Sequence, residues 1–479
     1  MKKIILSLSL TLISVSLISQ TIAAGWVHSL AICSDIVVQK PLSTQSGISV
    51  MSWGFNNYGE LGDNTNGSLT CMCGSANCCK NAPVQVTGLT NMAAVAAGSD
   101  HSLFLKNNGT AWACGRGQFG QLGNGGAADL NTPTQVSLTN VVAISAGGNH
   151  SLFLKSDGTV WASGYNFDGE LGDGTTAFKL SPVQVSGLSG IIAIAGGEKH
   201  SIFLKNDGTV WACGYNAYGQ LGDGTLIKKT TPFQIAGLAN IVAIGCGDMH
   251  SLFVKNDGTV YACGSNNNGQ CGDGTSMNNK TTPVLCSVLT GITAVDGGYQ
   301  YSLFLKSDGT VWATGQNNSG SFANGTLVSS IVPIQTPLTN VKTISAGASH
   351  SMFLKNDGTL KTCGSNYRGQ LGEGSYTNET TAVSPVNLCI LVVTSLNDLS
   401  GNEDKFKIYP TVSNGVFNIE SDVKCDEITV YNVQGQKVYE DNRIQFPYIL
   451  NTSNSNDGIY LIQIRSGQTI LNKRVIIVK

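Results

Sequence analysis

The chain has 479 residues, more than the roughly 250–300 residues over which one hydrophobic core keeps growing, so it can hold more than one domain. Its net charge is -2, only 12% of its residues are charged, and its long central region contains two arginines, Arg116 and Arg368. A nucleic-acid-binding surface needs clustered Lys and Arg side chains for several phosphates. We therefore exclude nucleic acid as a partner.

The first 24 residues have the pattern of a signal peptide: a basic start at residues 1–3, an apolar stretch over residues 4–18, and small residues where we predict cleavage, after Ala23 or Ala24. No later apolar run reaches the ~18 residues of a membrane helix, so we expect no membrane span in the mature protein. An exported chain enters an oxidising compartment, where its 14 cysteines can form disulfides.

One repeat of about 50 residues then occurs seven times. From His101 onward the copies start at intervals of 49, 50, 50, 51 and 49 residues, and Tyr301 takes the place of histidine in the sixth copy. The first interval is 73 residues because the first copy carries two insertions. All six histidines of the chain occupy this one repeat position: His28, His101, His150, His200, His250 and His350.

Each copy has the pattern of four short strands. An apolar run such as VVAIS leads through Gly-x-x to the His strand, which ends at an Asp-Gly hairpin signal. The strand TVWACG, a glycine-spaced loop and a strand such as PVQVSGL follow. Because one copy cannot cover its own apolar surface, the copies must stack. We predict an all-β fold, a seven-bladed propeller over residues 25–395, in which residues 389–395 replace the inner strand that cleavage removes from the first blade.

These motifs resemble those of the regulator of chromosome condensation repeat family: Gly-x-x-His-Ser, Asn-Asp-Gly-Thr-Val-Trp and Gly-Tyr-Asn-x-x-Gly-Gln-Leu-Gly-Asp-Gly. The resemblance covers roughly residues 25–395 and implies a seven-bladed propeller. That family includes nucleotide exchange factors for a nuclear GTPase, a plant light receptor and a bacterial β-lactamase inhibitor, so its fold does not select one function. Guanine nucleotide exchange is not expected, because an exported bacterial protein meets no nuclear GTPase. The sequence departs from the family pattern where Cys replaces the usual Trp, at Cys114, Cys213, Cys263 and Cys363.

After a polar linker, residues 396–402, five strand-like segments separated by turn residues predict a small β-sandwich over residues 403–479. This region resembles the C-terminal sorting domain of the type IX secretion system of Bacteroidetes. The resemblance implies contact with that secretion machinery, passage across the outer membrane, and a secreted or outer-surface location. The alternative is an ordinary appended β-sandwich. The matching features are Tyr409-Pro410, Gly415-x-Phe417, the ITVYNVQGQKV block and Asp457-Gly458-Ile459-Tyr460.

Several residue types suggest chemistry that the repeat explains more simply. A histidine that recurs once per blade is predicted to be a structural hydrogen-bonder rather than a metal ligand or an acid–base group. Asp173, Asp223 and Asp273 suggest calcium, but their glycine neighbours are typical of turns. We predict no metal site and no cofactor. No nucleophile–base pair or isolated carboxylate pair stands out, so we expect no enzymatic activity.

A cysteine cluster occurs only in the first copy: Cys71, Cys73, Cys78 and Cys79. Its spacing lacks the paired C-x₂-C units of zinc sites, and export favours disulfides that stiffen the loop. A metal site and unpaired thiols are the alternatives. The cysteines and tryptophans of the other copies are predicted to lie in the core.

One face of the ring collects the Gly-x-x-His turns and the Gly-x-Asn-x-x-Gly loops, and we call it the loop face. The two residues between Gly and His differ in every copy, and the second loops carry aromatic and Arg side chains, which dominate binding interfaces. The alternatives are solvated turns and, for Tyr58, Phe119 and Tyr218, packing between blades. The candidate binding residues are Trp26, Phe55, Asp100, Tyr165, Phe167, Glu198, Tyr215, Asp248, Tyr299, Tyr367 and Arg368.

The sequence thus predicts an exported, non-enzymatic scaffold that binds a protein or a surface glycan. The alternatives are an inhibitor of an extracellular enzyme and a polysaccharide hydrolase or lyase with a site at the ring centre. A deep central pocket with polar residues from several blades would favour the enzyme. A broad aromatic loop face would favour the scaffold or the inhibitor.

Overall fold

The computed structural model contains two compact units. In the first unit it describes residues 21–33, 50–67, 78–386 and 388. The predicted linker, residues 396–402, lies outside the described residues. In the second unit the described residues are 406–409, 412–421, 424–432, 437–442, 444–453, 455, 458–466 and 469–477.

The first unit consists of seven four-stranded antiparallel sheets, so the predicted seven-bladed propeller is confirmed. The strands run in chain order from the innermost to the outermost position of each blade. Blade 1 has β1 Ile22–Ala24, β2 His28–Ile32, β3 Val50–Phe55 and β4 Cys79–Gln85; blade 2 has β5 Met92–Ala97, β6 His101–Lys106, β7 Ala111–Gly115 and β8 Leu130–Gln135; blade 3 has β9 Val141–Ala146, β10 His150–Lys155, β11 Val160–Gly164 and β12 Lys179–Gln184; blade 4 has β13 Ile191–Gly196, β14 His200–Lys205, β15 Val210–Gly214 and β16 Lys229–Gln234; blade 5 has β17 Ile241–Cys246, β18 His250–Lys255, β19 Val260–Gly264 and β20 Lys280–Leu285; blade 6 has β21 Ile292–Gly297, β22 Tyr301–Lys306, β23 Val311–Gly315 and β24 Ser330–Gln335; blade 7 has β25 Val341–Ala346, β26 His350–Lys355, β27 Leu360–Gly364 and β28 Glu379–Val383.

In blades 3–7 the central hairpin follows from an Asp-Gly-Thr sequence, which is Asn-Gly-Thr in blade 2. In blade 4, the Thr209 amide and hydroxyl donate hydrogen bonds to Asp207 Oδ1 at 3.0 and 2.6 Å. Gly208 between them has a φ of +78°, which glycine adopts without the steric cost of a Cβ atom. The turn fixes the register that places His200 opposite Gly214. Each His is thereby held at the loop-face end of its strand.

The blades pack by filling the space between neighbouring sheets. Leu152 and Leu154 of blade 3 form one core cluster with Phe203 and Cys213 of blade 4, and the other blades repeat the pattern. Cys114, Cys213, Cys263 and Cys363 are fully buried, each with a free thiol. Trp112, Trp161, Trp211 and Trp312 are partly buried and lie at the margins of these clusters. The repeat tryptophans therefore cover the core rather than form its centre.

The inner strand of blade 1 lies at the end of the predicted signal peptide. Residues 22–24 form β1, where Ile22 and Ala23 are buried and the Ala24 amide donates a hydrogen bond to Ser345 Oγ of blade 7 at 3.0 Å. Cleavage after Ala23 or Ala24 would remove this strand. The small residues of the predicted cleavage site thus also fit an inner strand, and cleavage itself stays a prediction. β1 occupies the place predicted for residues 389–395, which lie outside the described residues.

The second unit is a two-sheet sandwich, as predicted. One sheet pairs β29 with β31 and β34, and the other runs in the order β30, β36, β35, β32, β33. Phe417 and Ile419 of the first sheet share one core with Ile428, Ile462 and Val475 of the second. The strands are β29 Phe406–Tyr409, β30 Val412–Ser413, β31 Val416–Ser421, β32 Glu427–Asn432, β33 Lys437–Asp441, β34 Tyr448–Asn451, β35 Gly458–Ser466 and β36 Thr469–Ile477.

Within the described part of the chain, no helix is long and apolar enough to cross a membrane.

Candidate binding face

The Gly-x-x-His turns form a closed belt of backbone hydrogen bonds at the loop-face end of the central channel. In every blade, an amide from this turn donates to a carbonyl of the same turn in the next blade, and the last contact returns to blade 1. The donor–acceptor pairs are Trp26–Gly98 (3.1 Å), Ser99–Gly148 (3.1 Å), Gly148–Gly197 (3.1 Å), Glu198–Asp248 (3.1 Å), Asp248–Gly298 (3.2 Å), Tyr299–Ala348 (3.0 Å) and Ala348–Gly25 (3.3 Å).

The repeat histidines form a second closed ring, between the blades. Each Nε2 lies within hydrogen-bond distance of the Ser hydroxyl that follows the His of the next blade, and Tyr301 makes the same contact through its own hydroxyl. The pairs are His28–Ser102, His101–Ser151, His150–Ser201, His200–Ser251, His250–Ser302, Tyr301–Ser351 and His350–Ser29, at 2.9–3.0 Å.

The serine partner determines which histidine nitrogen carries the proton. Ser251 Oγ donates its one hydrogen to the Gln220 carbonyl at 2.8 Å, so it can only accept from His200 Nε2. Burial, reinforced by the charges of His150 and His250, lowers the pKa of His200 to about 3, so the His200 imidazole is neutral at pH 7. These contacts link blades, and among the described residues no group of three His, Cys, Asp or Glu side chains could hold a metal ion.

The Asn and Asp residues of the glycine-spaced loops hold their own loop together. In blade 4, Asn216 Oδ1 accepts a hydrogen bond from the Leu221 amide at 2.9 Å, while Asn216 Nδ2 donates to Asp223 Oδ1 at 3.0 Å. The second carboxylate oxygen of Asp223 lies 3.2 Å from Lys229 Nζ. Asp173 and Asp273 have corresponding lysine partners. These carboxylates are thus occupied by turn and ion-pair contacts.

Aromatic and Arg side chains from blades 1–3 form a continuous surface, which we call the aromatic strip. The Arg116 guanidinium lies over the rings of Tyr58 (4.9 Å) and Phe119 (5.7 Å). Phe119 meets Tyr165 edge to face at 5.1 Å, and Tyr165 contacts Phe167, whose side chain is 49% exposed, at 4.8 Å. Tyr58 and Phe119 are only partly buried, so they belong to this surface as well as to the blade contacts.

Asp100 anchors the strip from its side. One of its carboxylate oxygens lies 3.2 Å from Arg116 Nη1, an ion pair that fixes the guanidinium over the two rings. The sequence predicts no role for Arg116. Its contacts with Asp100, Tyr58 and Phe119 appear only in the structure. The rarity of arginine in the central region was the one sequence feature that could have pointed to Arg116 as a binding residue.

Two smaller clusters continue on either side of the strip. In blade 7, the Arg368 guanidinium lies 5.0 Å from the Phe55 ring of blade 1 and 5.4 Å from the ring of Tyr367. In blade 4, Tyr215 meets Tyr218 at 6.2 Å and lies under the Lys199 ammonium at 5.8 Å. Blades 5 and 6 carry Asn and Ser residues in these loops. The loop face is therefore aromatic on one side and polar on the other.

The remaining candidates surround the mouth of the central channel. Trp26 and Tyr299 stack on each other with ring centroids 6.1 Å apart, and Glu198 and Asp248 line the adjoining wall. Burial, followed by the charge of Glu198, raises the pKa of Asp248 to about 8. Burial also raises the pKa of Glu198, although Lys199 partly opposes the shift. These two carboxyls form a group separate from the aromatic strip.

Two buried carboxyls were not singled out as unusual by sequence reasoning. Glu60 and Glu170 are fully buried at a position where four other blades have Gln. Each accepts a hydrogen bond from the amide two residues earlier, as the Gln220 side chain does from Tyr218. Burial raises the pKa of Glu60 to about 8 and that of Glu170 to about 7. They are buried replacements for Gln whose carboxyls hold their proton more tightly than an exposed Glu does.

Cysteines 78 and 79 of the predicted cluster are disulfide-bonded, and so is Cys33, which was not among the candidates. Cys71 and Cys73 lie outside the described residues. The pairing within the cluster stays a prediction.

Comparison with known proteins identifies both units. Residues 7–304 match the family described as the RCC1-like domain, and regulator of chromosome condensation (RCC1) repeats match at residues 292–321, 308–354 and 341–370. Residues 407–478 match the secretion system C-terminal sorting domain. Both resemblances drawn from the sequence are thereby confirmed.

Solved structures of propellers resemble this one. Human WBSCR16 is 24% identical, with a TM-score of 0.62 over 69% of this chain and 92% of that chain. Prp20p of Saccharomyces cerevisiae is 22% identical, with a TM-score of 0.62 over 73% and 90% of the two chains. Yeast RCC1 (Prp20) bound to Kap60 is 22% identical, with a TM-score of 0.60 over 73% and 87%. At these identities the likeness establishes the fold alone.

Proposed function

We propose, from the premise that this chain belongs to the family of RCC1-like domains, that it is a secreted, non-enzymatic scaffold whose loop face binds a protein partner. The sorting domain at residues 407–478 indicates secretion. The propeller contributes a rigid ring on which loops from different blades present their side chains together. A surface glycan is the alternative ligand class, and pull-down experiments distinguish it from a protein.

The aromatic strip is the observation that carries this proposal. Arg116, Tyr165 and Phe167 combine apolar area with a planar cation, and these residue types dominate the energetics of protein interfaces. The Asp100–Arg116 ion pair holds the guanidinium in place before binding, which reduces the entropy lost on association. Blades 5 and 6 lack such residues in the same loops, so the strip is not required to fold a blade.

The similar structures are consistent with a role in protein binding. Prp20p, which shares the fold, has binding properties toward Gsp1p and histones. Those partners do not transfer to this chain, because one fold supports many unrelated functions. The likeness supports only the use of a propeller of this kind as a binding surface.

The test starts with the full exported chain as bait for culture supernatant and outer-membrane fractions, followed by an affinity measurement on the purified partner. The double variant Tyr165→Ala and Phe167→Ala should weaken binding at least tenfold, because two hot-spot side chains are lost. The matched control is Asn267→Ala with Asn318→Ala, which changes the Phe167 position of the repeat in blades 5 and 6. It should alter the affinity less than twofold.

Equal loss of affinity in both double variants, or in neither, would remove the aromatic strip as the binding surface. Retention of glycans rather than proteins by the wild-type chain, with the same dependence on Tyr165 and Phe167, would replace the protein partner by a carbohydrate. A partner enzyme that loses activity on binding would make the scaffold an inhibitor.

A further inference from the structure

The central channel has a distinct chemical environment at its loop-face mouth. The channel encloses a cavity of about 790 Å³ whose wall is formed mainly by small Ala and Gly residues of the inner strands. At the loop-face end, the wall also contains Trp26, Glu198 and Asp248. All three occupy the first variable position of the Gly-x-x-His turn, so the belt of backbone hydrogen bonds fixes where they stand.

The two carboxyl groups at this mouth form no ion pair with any residue that the structure describes. Of the ion pairs between described residues, none involves Glu198 or Asp248. Asp248 Oδ2 is buried and has no hydrogen-bond partner among the described residues. An acceptor left buried without a donor costs about 1–3 kcal/mol. The mouth therefore holds an acceptor that a bound donor would satisfy.

The nearby charged groups are directed elsewhere. Lys199 adjoins Glu198, but its ammonium lies over the Tyr215 ring at 5.8 Å. Arg116 is paired with Asp100 at 3.2 Å. Asp296, also on the channel wall, accepts hydrogen bonds from the Ala346 and Gly297 amides. Glu198 and Asp248 therefore lie at the mouth without an ion-pair partner among the described residues, and Lys199 only partly offsets the raised pKa of Glu198.

Trp26 and Tyr299 follow the two carboxyls in the order of the blades around the channel. The Asp248 amide donates to the carbonyl of Gly298, the residue before Tyr299, and Tyr299 stacks on Trp26 across the small Ala348 of blade 7. Trp26 is 38% exposed and Tyr299 is 40% exposed. Aromatic faces attract cations and also cover the methylene chain that carries an ammonium group.

We propose that this mouth binds a protonated primary amine, either a small diamine or the side chain of a lysine. The ammonium group donates to Asp248 Oδ2 and faces Glu198, while its methylene chain lies against Trp26 and Tyr299. An ammonium has three donors and a full positive charge, which matches two carboxyls with an unsatisfied oxygen. This site goes beyond the proposed function, because free amines test it without any protein partner.

The site predicts a proton linkage that a nonspecific surface would not show. The pKa of Asp248 is raised to about 8, so the free carboxyl is mostly protonated at pH 6–7 and must lose its proton when the amine binds. Affinity should rise nearly tenfold per pH unit from pH 6 toward pH 8 and level off above. Each binding event in this window should release about one proton.

Titration calorimetry on the full chain with putrescine and with Nα-acetyl-lysine-N-methylamide, at pH 6, 7 and 8 in two buffers of different ionisation enthalpy, tests the proposal. Asp248→Asn should weaken binding at least tenfold and abolish proton release. The control Asp168→Asn removes a loop-face carboxylate that pairs with Lys228 outside the channel and should bind as wild type does. Circular dichroism and unfolding curves confirm that both variants are folded.

Binding of putrescine alone identifies a small-molecule site, and binding of the lysine amide alone identifies a site for a protein side chain. The proposal fails if neither probe binds, or if folded Asp248→Asn binds as well as wild type with the same pH dependence. The double variant Tyr165→Ala and Phe167→Ala should leave amine binding unchanged. Failure of the amine site and failure of the aromatic strip are therefore distinguishable.

Discussion

The fixed and the variable positions of the Gly-x-x-His turn are adjacent in sequence but have different roles. The fixed residues pack between blades, and the variable residues form the surface. In blade 4, a Cβ atom on Gly197 would lie 2.1 Å from His200 Cε1 and 2.7 Å from the Gly247 carbonyl oxygen, so this position has no space for a side chain. His200 is fully buried and reaches blade 5. Glu198 between them lines the channel, and Lys199 covers Tyr215 on the loop face.

This difference explains how one repeat can close a ring and still carry an individual surface. The fixed residues point between blades, where every contact must be the same for the copies to stack. The variable residues take part in the belt of hydrogen bonds only through their backbone. Any residue except proline can supply the backbone amide that donates there. Substitutions at the two kinds of position should therefore have very different costs.

Opening the ring itself should have the largest effect. We compare two truncated chains, one beginning at Thr21 and one beginning at Gly25. Loss of β1 removes the buried Ile22 side chain and the hydrogen bonds of one strand, so the shorter chain should be less stable by about 5 kcal/mol in guanidinium unfolding. Equal stability of the two chains would show that another segment takes the place of β1, as predicted for residues 389–395.

A fixed position should be far more sensitive than its variable neighbour. His200→Ala leaves the buried Ser251 hydroxyl without its donor and creates a cavity, so it should lower the free energy of unfolding by about 3 kcal/mol. Lys199→Ala, one residue earlier, should cost less than about 0.5 kcal/mol. His200→Tyr should cost less than the Ala variant, since Tyr301 fills the same position in blade 6, where its hydroxyl donates to the His350 carbonyl and lies 2.9 Å from Ser351 Oγ. Urea unfolding measures all three, and similar losses for His200→Ala and Lys199→Ala would contradict the distinction.

The buried Glu60 should give a smaller, pH-dependent effect. Burial raises its folded-state pKa to about 8, so the native chain keeps a proton that the unfolded chain releases above pH 4.5. Its stabilising contribution is present below pH 4.5 and is lost as the pH rises through 8. Glu60→Gln removes this dependence and should gain about 2 kcal/mol over wild type between pH 5 and pH 7. Gln220→Glu is the converse control, which should acquire the dependence, and parallel pH profiles for all three chains would refute the assignment.

Much of the fold could be predicted from the sequence because the repeat states the same pattern seven times. The Asp-Gly-Thr hairpins, the four strands and the use of Gly at crowded positions follow from local chemistry that acts within a few residues. Blade 1 was the exception. Its inner strand begins at Ile22, inside the segment predicted as a signal peptide, and the contact with Ser345 of blade 7 that supports this strand spans 321 residues of the chain.

The candidate site was predicted as a set of residues but not as an arrangement. Eleven positions on the loop face follow from strand alternation and residue type alone. Their division into an aromatic strip and a channel mouth does not, because the contact of Arg116 with Tyr58 and the stacking of Trp26 on Tyr299 join different blades.

By itself, the sequence determined the repeat, the blade, the number of blades and the sorting domain, since each depends on short motifs whose physical meaning is local. The tertiary structure alone decided which histidine nitrogen bears the proton, which acids are buried and uncharged, and which loop residues meet. Those properties depend on what the neighbouring blade supplies at a distance of about 3 Å, and that neighbour lies some 50 residues away along the chain.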